Sequence, residues 1–572
     1  MANIFNSVKV KLQRKNKFNL SFASRLTTEF GRLTPFLCEE VLPNDSFKIN
    51  TAIRVQFAPM KFPVMQKFTA YLHYFFVPKR LIMDDWEDFI TRGDDGLTEV
   101  PYPVVAMTDS FIDGLVTSSS ASKKFFGASS LWDYLGFPTF NASGGIYTDE
   151  NPEDCHDFDI LPFKAYQLIY NNWYRDQTLS EEIDIHSDVS GNQILNGLTN
   201  ADIADLLTLR QRAWKKDYFT SAMPDPQRGP DVTLPTFGVV EGAESPLRVT
   251  VDKGDYIVGG DGEVHASTDL DWHTSGGSEH FVSGGTNVNI ANDSPAKLYG
   301  DVPSDDVANS LKITGRAATI NEVRRAFAIQ RWYELAARAG NRYIEQILAH
   351  FGIRSSDARL QRPEYLGGAA IPVNVGDILQ TSESNPEGTP LGTPAGIAQA
   401  AGRARINKGR FTSEEHGYII GILSIVPDAS YPQGMPRKYL RRDTFDFAWA
   451  LLANIGEQEI QKQELYCDFT DSPADNRSGF GYAPRYSEYK FGLGQVHGDF
   501  RDSLRDFHDA RFFDERPLLN QEFIEVSTEN DGEDGLNRIF AVRDSSMADH
   551  LWVSMFNDVR VRRVLPKYGT PI

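Results

Sequence analysis

Five cations, Lys9, Lys11, Arg14, Lys15 and Lys17, crowd the start of the chain, and their type and spacing suit phosphate binding. Ammonium and guanidinium groups on a flexible segment neutralise phosphates without reading sequence, through an attraction that weakens as salt rises. The same charge also suits an ordinary solubilising tail, and charge alone weighs the two readings equally. A second cluster, Arg560, Arg562, Arg563 and Lys567, stands near the other end. Neither cluster shows the regular aromatic interleaving of a platform on which unpaired bases stack.

Catalysis would leave a different trace. The three cysteines, Cys38, Cys155 and Cys467, lie far apart, and none of the eleven histidines stands three or four residues from another, so no local metal pair is encoded. There is no Walker loop, no Gly-x-Ser-x-Gly nucleophile turn and no dinucleotide fingerprint; Gly479-Phe480-Gly481 runs into aromatics and Pro484 and reads as a turn. Gly93-Asp94-Asp95 has the two carboxylates of a metal-binding polymerase turn, and Arg92-Gly93-Asp94 is the tripeptide of adhesion ligands, but motifs this short recur by chance. Asp531 to Gly535 has acids and glycines without calcium-loop spacing and reads as a solvated loop. On this reading there are no catalytic residues, no metal ligands and no cofactors. A glycan hydrolase would need paired carboxylates across a cleft, and among 78 acids nothing singles out such a pair.

The elements that must carry these residues are mostly strands. Residues 51–60 and 66–77 are β-rich, and ordered structure is expected to begin near Thr51, after an arm. In the second segment Phe68, Ala70, Leu72, Tyr74 and Phe76 would line one face and Tyr71, His73, Phe75 and Val77 the other, as in a strand covered on both sides, with Pro78 as its end. Tyr418–Val426 reads as a buried strand, and β pieces are expected at 540–542 and 551–556. Short helices are expected at 84–91, 162–173 and 201–215, and another near 445–465. The clearest helix would run from 320 to 351, opened by Thr319 and Glu322 as a capping box, stopped by Gly352 and bent near Gly340-Asn341. Residues 381–409 look like a loop. With many short strands, scattered helices and no βαβ alternation, the pattern favours an antiparallel β core with long inserted loops.

Charge is distributed unevenly over the 572 residues. Residues 1–35 carry seven cations against Glu29, a net of +6, while residues 231–310 carry 14 acids against three cations, a net of −11, within a total of −20. The acidic segment is rich in Gly, Asp, Ser and Asn, holds short β-like pieces and reads as a surface excursion. A hydrophobic fraction of 41% with 37 Phe and 22 Tyr argues against disorder. No run reaches the roughly 18 apolar residues of a membrane helix. The first residues lack the apolar core of a secretory signal, and an odd number of scattered cysteines suits a reducing compartment, so synthesis and retention in a cytoplasm are expected.

Several blocks, in order along nearly the whole chain, carry a resemblance. They include CEEVLPNDSFKI (38–49), HYFFVPKRLIMDDWEDFI (73–90), SLWDYLGFP (130–138), LPFKAYQLIYNNWYRDQ (161–177), DYFTSAMPDPQRG (217–229), the helix segment 320–352, RPEYLGG (362–368), EEHGYIIGI (414–422), YPQGMPRKY (431–439) and FGYAPRYSEYK (480–490). These resemble the Microviridae major capsid protein, in its gokushovirus-like branch. In VLPND, relatives often have Gly where Asn44 stands, and Asn is the next residue most able to take a left-handed conformation. Met83 stands where the family suggests an aromatic. Trp86 and Phe89, three apart on a short helix, would pack one face and are candidate interface anchors.

The resemblance implies a mainly β protein, an eight-stranded antiparallel jelly roll with long inserted loops and several helices. About 60 copies would close a T=1 icosahedral shell around circular single-stranded DNA. Its divisions would be a basic arm and lead-in at 1–50, the first part of the core at 51–230, an acidic protrusion at 231–310, and the long helix, remaining strands and tail at 311–572. Implied partners are the chain itself, the viral DNA, a small basic DNA-binding virion protein, other minor virion proteins and a host surface receptor, without membrane insertion. The protein would reside in the virion after assembly in the bacterial cytoplasm. Lys9, Lys11, Arg14, Lys15 and Lys17 would face inward onto DNA. A jelly-roll protein that binds receptors or carbohydrates, or hydrolyses glycans, is the alternative.

Overall fold

The computed structural model describes residues 15–92, 97–106, 124–139, 157–229, short strands between 248 and 301, 320–339, 361–379, 394–406, 409–527, 535–542 and 548–568, with a few isolated positions besides. Ten strands build one curled antiparallel sheet: β1 (Asn16–Asn19), β2 (Phe22–Thr28), β3 (Thr34–Val41), β4 (Ser46–Phe57), β5 (Phe68–Pro78), β6 (Glu364–Leu379), β7 (Pro394–Arg405), β8 (Phe411–Thr412), β9 (Gly417–Pro427) and β10 (Leu551–Arg563). Their spatial order is β1-β10-β4-β7-β6-β5-β9-β3, with β2 also on β10 and β8 also on β4. β6 changes partner along its length: Glu364–Val373 pairs with β5 and Asn374–Leu379 with β7, which carries the sheet round its curl.

The alternation in β5 separates two cores. Phe68, Ala70, Leu72, Tyr74 and Phe76 enter the core inside the curl, whereas Phe75 and Val77 enter a second core on the other side. The first is centred on aromatics: Phe30 stacks on Phe68 at 5.4 Å and meets Phe57 edge-on at 5.6 Å. The second is roofed by α1 (Trp86–Thr91), α2 (Leu131–Tyr134), α3 (Leu161–Ile169) and α4 (Asn200–Leu207). All eleven residues of β9 are buried, because it lies between β3 and β5 with both faces covered.

Local chemistry explains the helix ends. Pro162 sits in the first turn of α3, and Thr199 with Asp202 forms a capping box on α4. α4 stops at Leu207, short of the expected 215, because residues 210–212 hydrogen-bond to the backbone of Gly31 and Leu33 instead. Asn44 takes φ +68° in the β3–β4 turn, the left-handed state expected of it.

Further expectations need correction, among them the turn expected at Gly479-Phe480-Gly481, which instead opens a strand over Gly479–Pro484. Strands already precede Thr51, where order was expected to begin, since β1 and β2 pair along β10. Residues 394–405, expected as loop, form β7; its small side chains answer close packing, for a Cβ on Gly396 would lie 2.4 Å from the Phe62 carbonyl oxygen. The helix expected over 445–465 is two 3-10 turns, a strand at Glu457–Gln461 and a single turn at Lys462–Leu465. Asp443 and Asp446 cap only a short turn there, and Gln458 and Ile460 alternate inward against residues 479–484. The C-terminal piece expected at 551–556 is a strand of 13 residues. The long helix is described over Ile320–Ala339 as α5; Thr319, Gly340, Asn341, the Gly93-Asp94-Asp95 turn and residues 531–534 lie outside the described residues.

The chain divides into two units, residues 1–228 with 333–572, and Gly229–Trp332. Among its described residues the second unit holds short antiparallel pairings: Arg248–Val251 with Leu298–Asp301, Tyr256–Val258 with Val264–Ala266, and a three-stranded piece from Asp271 to Val288. Among the described residues no helix is long and apolar enough to cross a membrane.

Candidate nucleic-acid interface

Directly opposed residues in an antiparallel pair point to the same side of the sheet. The register of β10 therefore decides what the open face of this half of the sheet carries. Along β10, Trp552, Ser554, Phe556 and Arg560 are exposed and alternate with buried Leu551, Val553, Met555, Val559 and Val561. On one flank Arg25 of β2 stands opposite Ser554, and Lys17 of β1 opposite Arg562. On the other, β4 sets Arg54 opposite Ser554 and Lys48 opposite Arg560. β7 continues the same face with Arg403 opposite Ala52 and Arg405 opposite Asn50.

Eight cations, Lys17, Arg25, Lys48, Arg54, Arg403, Arg405, Arg560 and Arg562, thus share a face with one carboxylate, Asp558, and eight less one leaves +7. Arg560 donates from Nε to Asp558 Oδ1 at 2.8 Å and is neutralised. The other seven have no ion pair among the described residues; Arg54 reaches the Gln399 amide oxygen at 3.4 Å. In a chain of net charge −20, such a face attracts anions, and its spread over five strands suits a polyanion.

The anticipated cations divide. Lys9, Lys11 and Arg14 lie outside the described residues. Lys15 donates from Nζ to the Asn44 carbonyl and to Asn44 Oδ1, each at 2.6 Å, so it fastens the incoming chain to the left-handed β3–β4 turn. Lys17 belongs to the face. In the C-terminal cluster, Arg563 points away from it: Nε donates to Asp45 Oδ2 at 2.7 Å, and the Asp45 side chain is only 1% exposed. Arg563 is thereby a structural cation, while its half-exposed neighbour Arg562 has no ion pair among the described residues.

Arg25, Lys48, Arg54, Arg403 and Arg405 went unrecognised as partners in the sequence because they come from separate segments. The available signal was the period-two alternation from 552 to 562, which places Trp552, Phe556 and two arginines on one side. Trp552 and Phe556 are 41% and 52% exposed, so aromatics are interleaved with cations after all, by register rather than by local spacing.

Trp86 and Phe89 pack against their own chain. Their rings meet at 5.5 Å, Trp86 lies 5.6 Å from His416 and under Lys79 Nζ at 4.9 Å, and Phe89 lies 5.5 Å from Tyr102. Both are half-buried on the rim of the second core.

A mainly β chain with one large curled antiparallel sheet, an aromatic centre and helical insertions has the architecture of a jelly roll. The chain belongs to the family described as Capsid protein (F protein), which it matches over residues 6–572. It is similar to Capsid protein VP1 of Bdellovibrio phage phiMH2K, at 32% identity covering 97% of this chain and 95% of the relative. It is similar to Capsid protein VP1 of Chlamydia phage 1 at 30% identity over 100% and 98%, and to that of Spiroplasma virus 4 at 28% over 97% and 95%. The protein is accordingly a major capsid protein, a structural component of a phage virion that assembles with copies of itself, and not an enzyme.

Proposed function

We propose that about 60 copies close a T=1 icosahedral shell around a circular single-stranded DNA genome, with the basic face of β1, β2, β10, β4 and β7 turned inward onto phosphates. The observation that carries this reading is the concentration on one sheet face of an acidic chain of seven cations that have no ion pair among the described residues. Lys9, Lys11 and Arg14 precede Lys17 and would extend the same field, and a small basic virion protein would share the DNA. The acidic segment 231–310, at net −11, suits the outside of the shell and contact with a host receptor. Assembly is assigned to the host cytoplasm, with minor virion proteins completing the particle.

Imaging of particles from the expressed protein, with their DNA content measured, tests the reading. Closed icosahedral shells whose DNA content falls when Arg54, Arg403 and Arg405 become Gln support it. Shells with undiminished DNA would remove the face from its assigned role, and a stable monomer would overturn assembly by this chain alone.

A further inference from the structure

At one end of the basic face the sheet does not stay flat to solvent. The turn that leads into α2 rises beside β2 and β10, and between them lies an open cavity of about 570 Å³. Its walls include Arg25, Arg54, Gln56, Ser129, Tyr134 and Trp552. Two ranks of the sheet form the floor. One is Arg25–Ser554–Arg54, a hydroxyl flanked by two guanidinium groups; the next is Thr27–Trp552–Gln56, an indole flanked by a hydroxyl and an amide. Neighbouring ranks on one face are about 6.8 Å apart, two residues at roughly 3.4 Å each.

The indole is held in place. Its Nε1 donates to the Asp549 carbonyl at 3.1 Å, while 41% of the residue stays exposed. The nearby Asp549 carboxylate does not oppose an anion, because Arg32 donates to it at 3.0 Å and Thr27 Oγ1 at 2.7 Å, with Ser129 Oγ as a further donor. Asp133, also on the wall, accepts from the Ser129 backbone N–H at 3.0 Å. Arg25 and Arg54, by contrast, have no carboxylate partner among the described residues.

A fixed aromatic face, two open guanidinium groups one rank away and polar groups on the remaining wall make a combination more specific than a basic surface. We propose that this cavity takes one unpaired nucleotide of a single strand, its base stacked on Trp552 and its phosphate held between Arg25 and Arg54. The volume lies in the range of small-ligand sites and suits one nucleotide, whereas a base within a duplex has both faces covered by its neighbours. Two ranks along β10 from Trp552, beyond the Ser554 rank, Phe556 is flanked by Ala23 and Ala52, whose small side chains leave its ring open as the next platform. This inference rests on the reading of the sheet face as the DNA-facing surface and adds to it a preference for unpaired bases.

The test uses the purified full chain and three probes: a short oligothymidylate, an abasic phosphodiester oligomer of equal length, and a duplex. The wild-type chain is expected to bind oligothymidylate about tenfold or more tightly than the abasic oligomer. Trp552→Ala should erase most of that ratio without weakening the abasic oligomer, and Trp552→Phe should keep most of it. Equal binding of both oligomers by the wild-type chain, which needs no variant, would overturn the nucleotide site while leaving the electrostatic face standing. An equal loss for both oligomers in Trp552→Ala would overturn it too. Salt-independent binding, or no binding of any probe, would instead sink the reading of the face itself.

Discussion

Lys17 stands directly opposite Arg562 across the β1–β10 ladder, so the basic segments at the two ends of the chain meet on one exposed sheet face. The next residue along, Arg563, turns to the other side and pairs with Asp45 at 2.7 Å.

Arg562 and Arg563 should therefore behave as opposites. Arg563→Gln leaves the Asp45 carboxylate buried beside a lost partner and should cost about 3 kcal/mol of stability, at the lower end for broken buried pairs. Arg562 is half-exposed and has no ion pair among the described residues, so Arg562→Gln should cost less than about 0.5 kcal/mol of stability, yet weaken DNA binding. Urea unfolding and filter binding on the two variants separate the roles; similar stability losses in both would contradict the assignment.

Phosphate contacts leave a signature in salt. Replacing Arg54, Arg403 and Arg405 by Gln should reduce the slope of log affinity against log salt by about 2, at roughly 0.7 per phosphate contact on a single strand. Anisotropy titrations across a salt series measure this, and an unchanged slope would place the DNA elsewhere.

The glycines of β7 should differ in cost. A Cβ on Gly396 would meet the Phe62 carbonyl at 2.4 Å, whereas on Gly402 it would meet Ile371 Cδ1 at 2.6 Å. A backbone carbonyl cannot rotate away as a side-chain methyl can, so Gly396→Ala should destabilise by about 1–3 kcal/mol and Gly402→Ala by less. Thermal melts should rank them in that order; the reverse order would mean that the Phe62 segment yields more easily than Ile371.

His550 ties the start of β10 to the end of β2. Nδ1 lies 2.7 Å from Glu29 Oε1 and Nε2 lies 2.7 Å from the Val542 carbonyl, two acceptors that suit an imidazolium donating from both nitrogens. Burial opposes the charge, but the hydrogen bond and attraction to Glu29 outweigh it and raise the His550 pKa above its ordinary value. A raised folded-state pKa means that this stabilisation is fully present below the unfolded value of about 6.5 and fades as pH rises through the folded value. The stability difference between wild type and His550→Asn should be greatest below about pH 6.5 and shrink as pH rises above it. A difference independent of pH in urea titrations would show that His550 acts without its charge.

Much of the core was legible because burial imposes a period. The two-faced alternation of residues 68–77 and the unbroken apolar run of 418–426 each led to the right strand, and Asn44 signalled a left-handed turn by its residue type. The errors share a cause. β7 is rich in Ala and Gly, poor strand formers by composition, and is held by β4 and β6 from distant parts of the chain. Residues 445–465 carry apolar side chains that imitate a helix, but Gly456 and pairing with 479–484 divert them.

Family membership, the β class and the polarity of charge between basic ends and acidic middle were already determined by the chain's residues in order. Which cations act together was decided only by tertiary structure. Lys17, Arg25, Lys48, Arg54, Arg403 and Arg562 become neighbours through antiparallel register, and a shift of one residue in any ladder would turn that strand's cations toward the aromatic core. The same register separates Arg562 from Arg563 and brings Trp552 beside Arg25 and Arg54. Local sequence encodes alternation, but the partner strand and its register are chosen by burying β10's apolar side, and that choice places the charges.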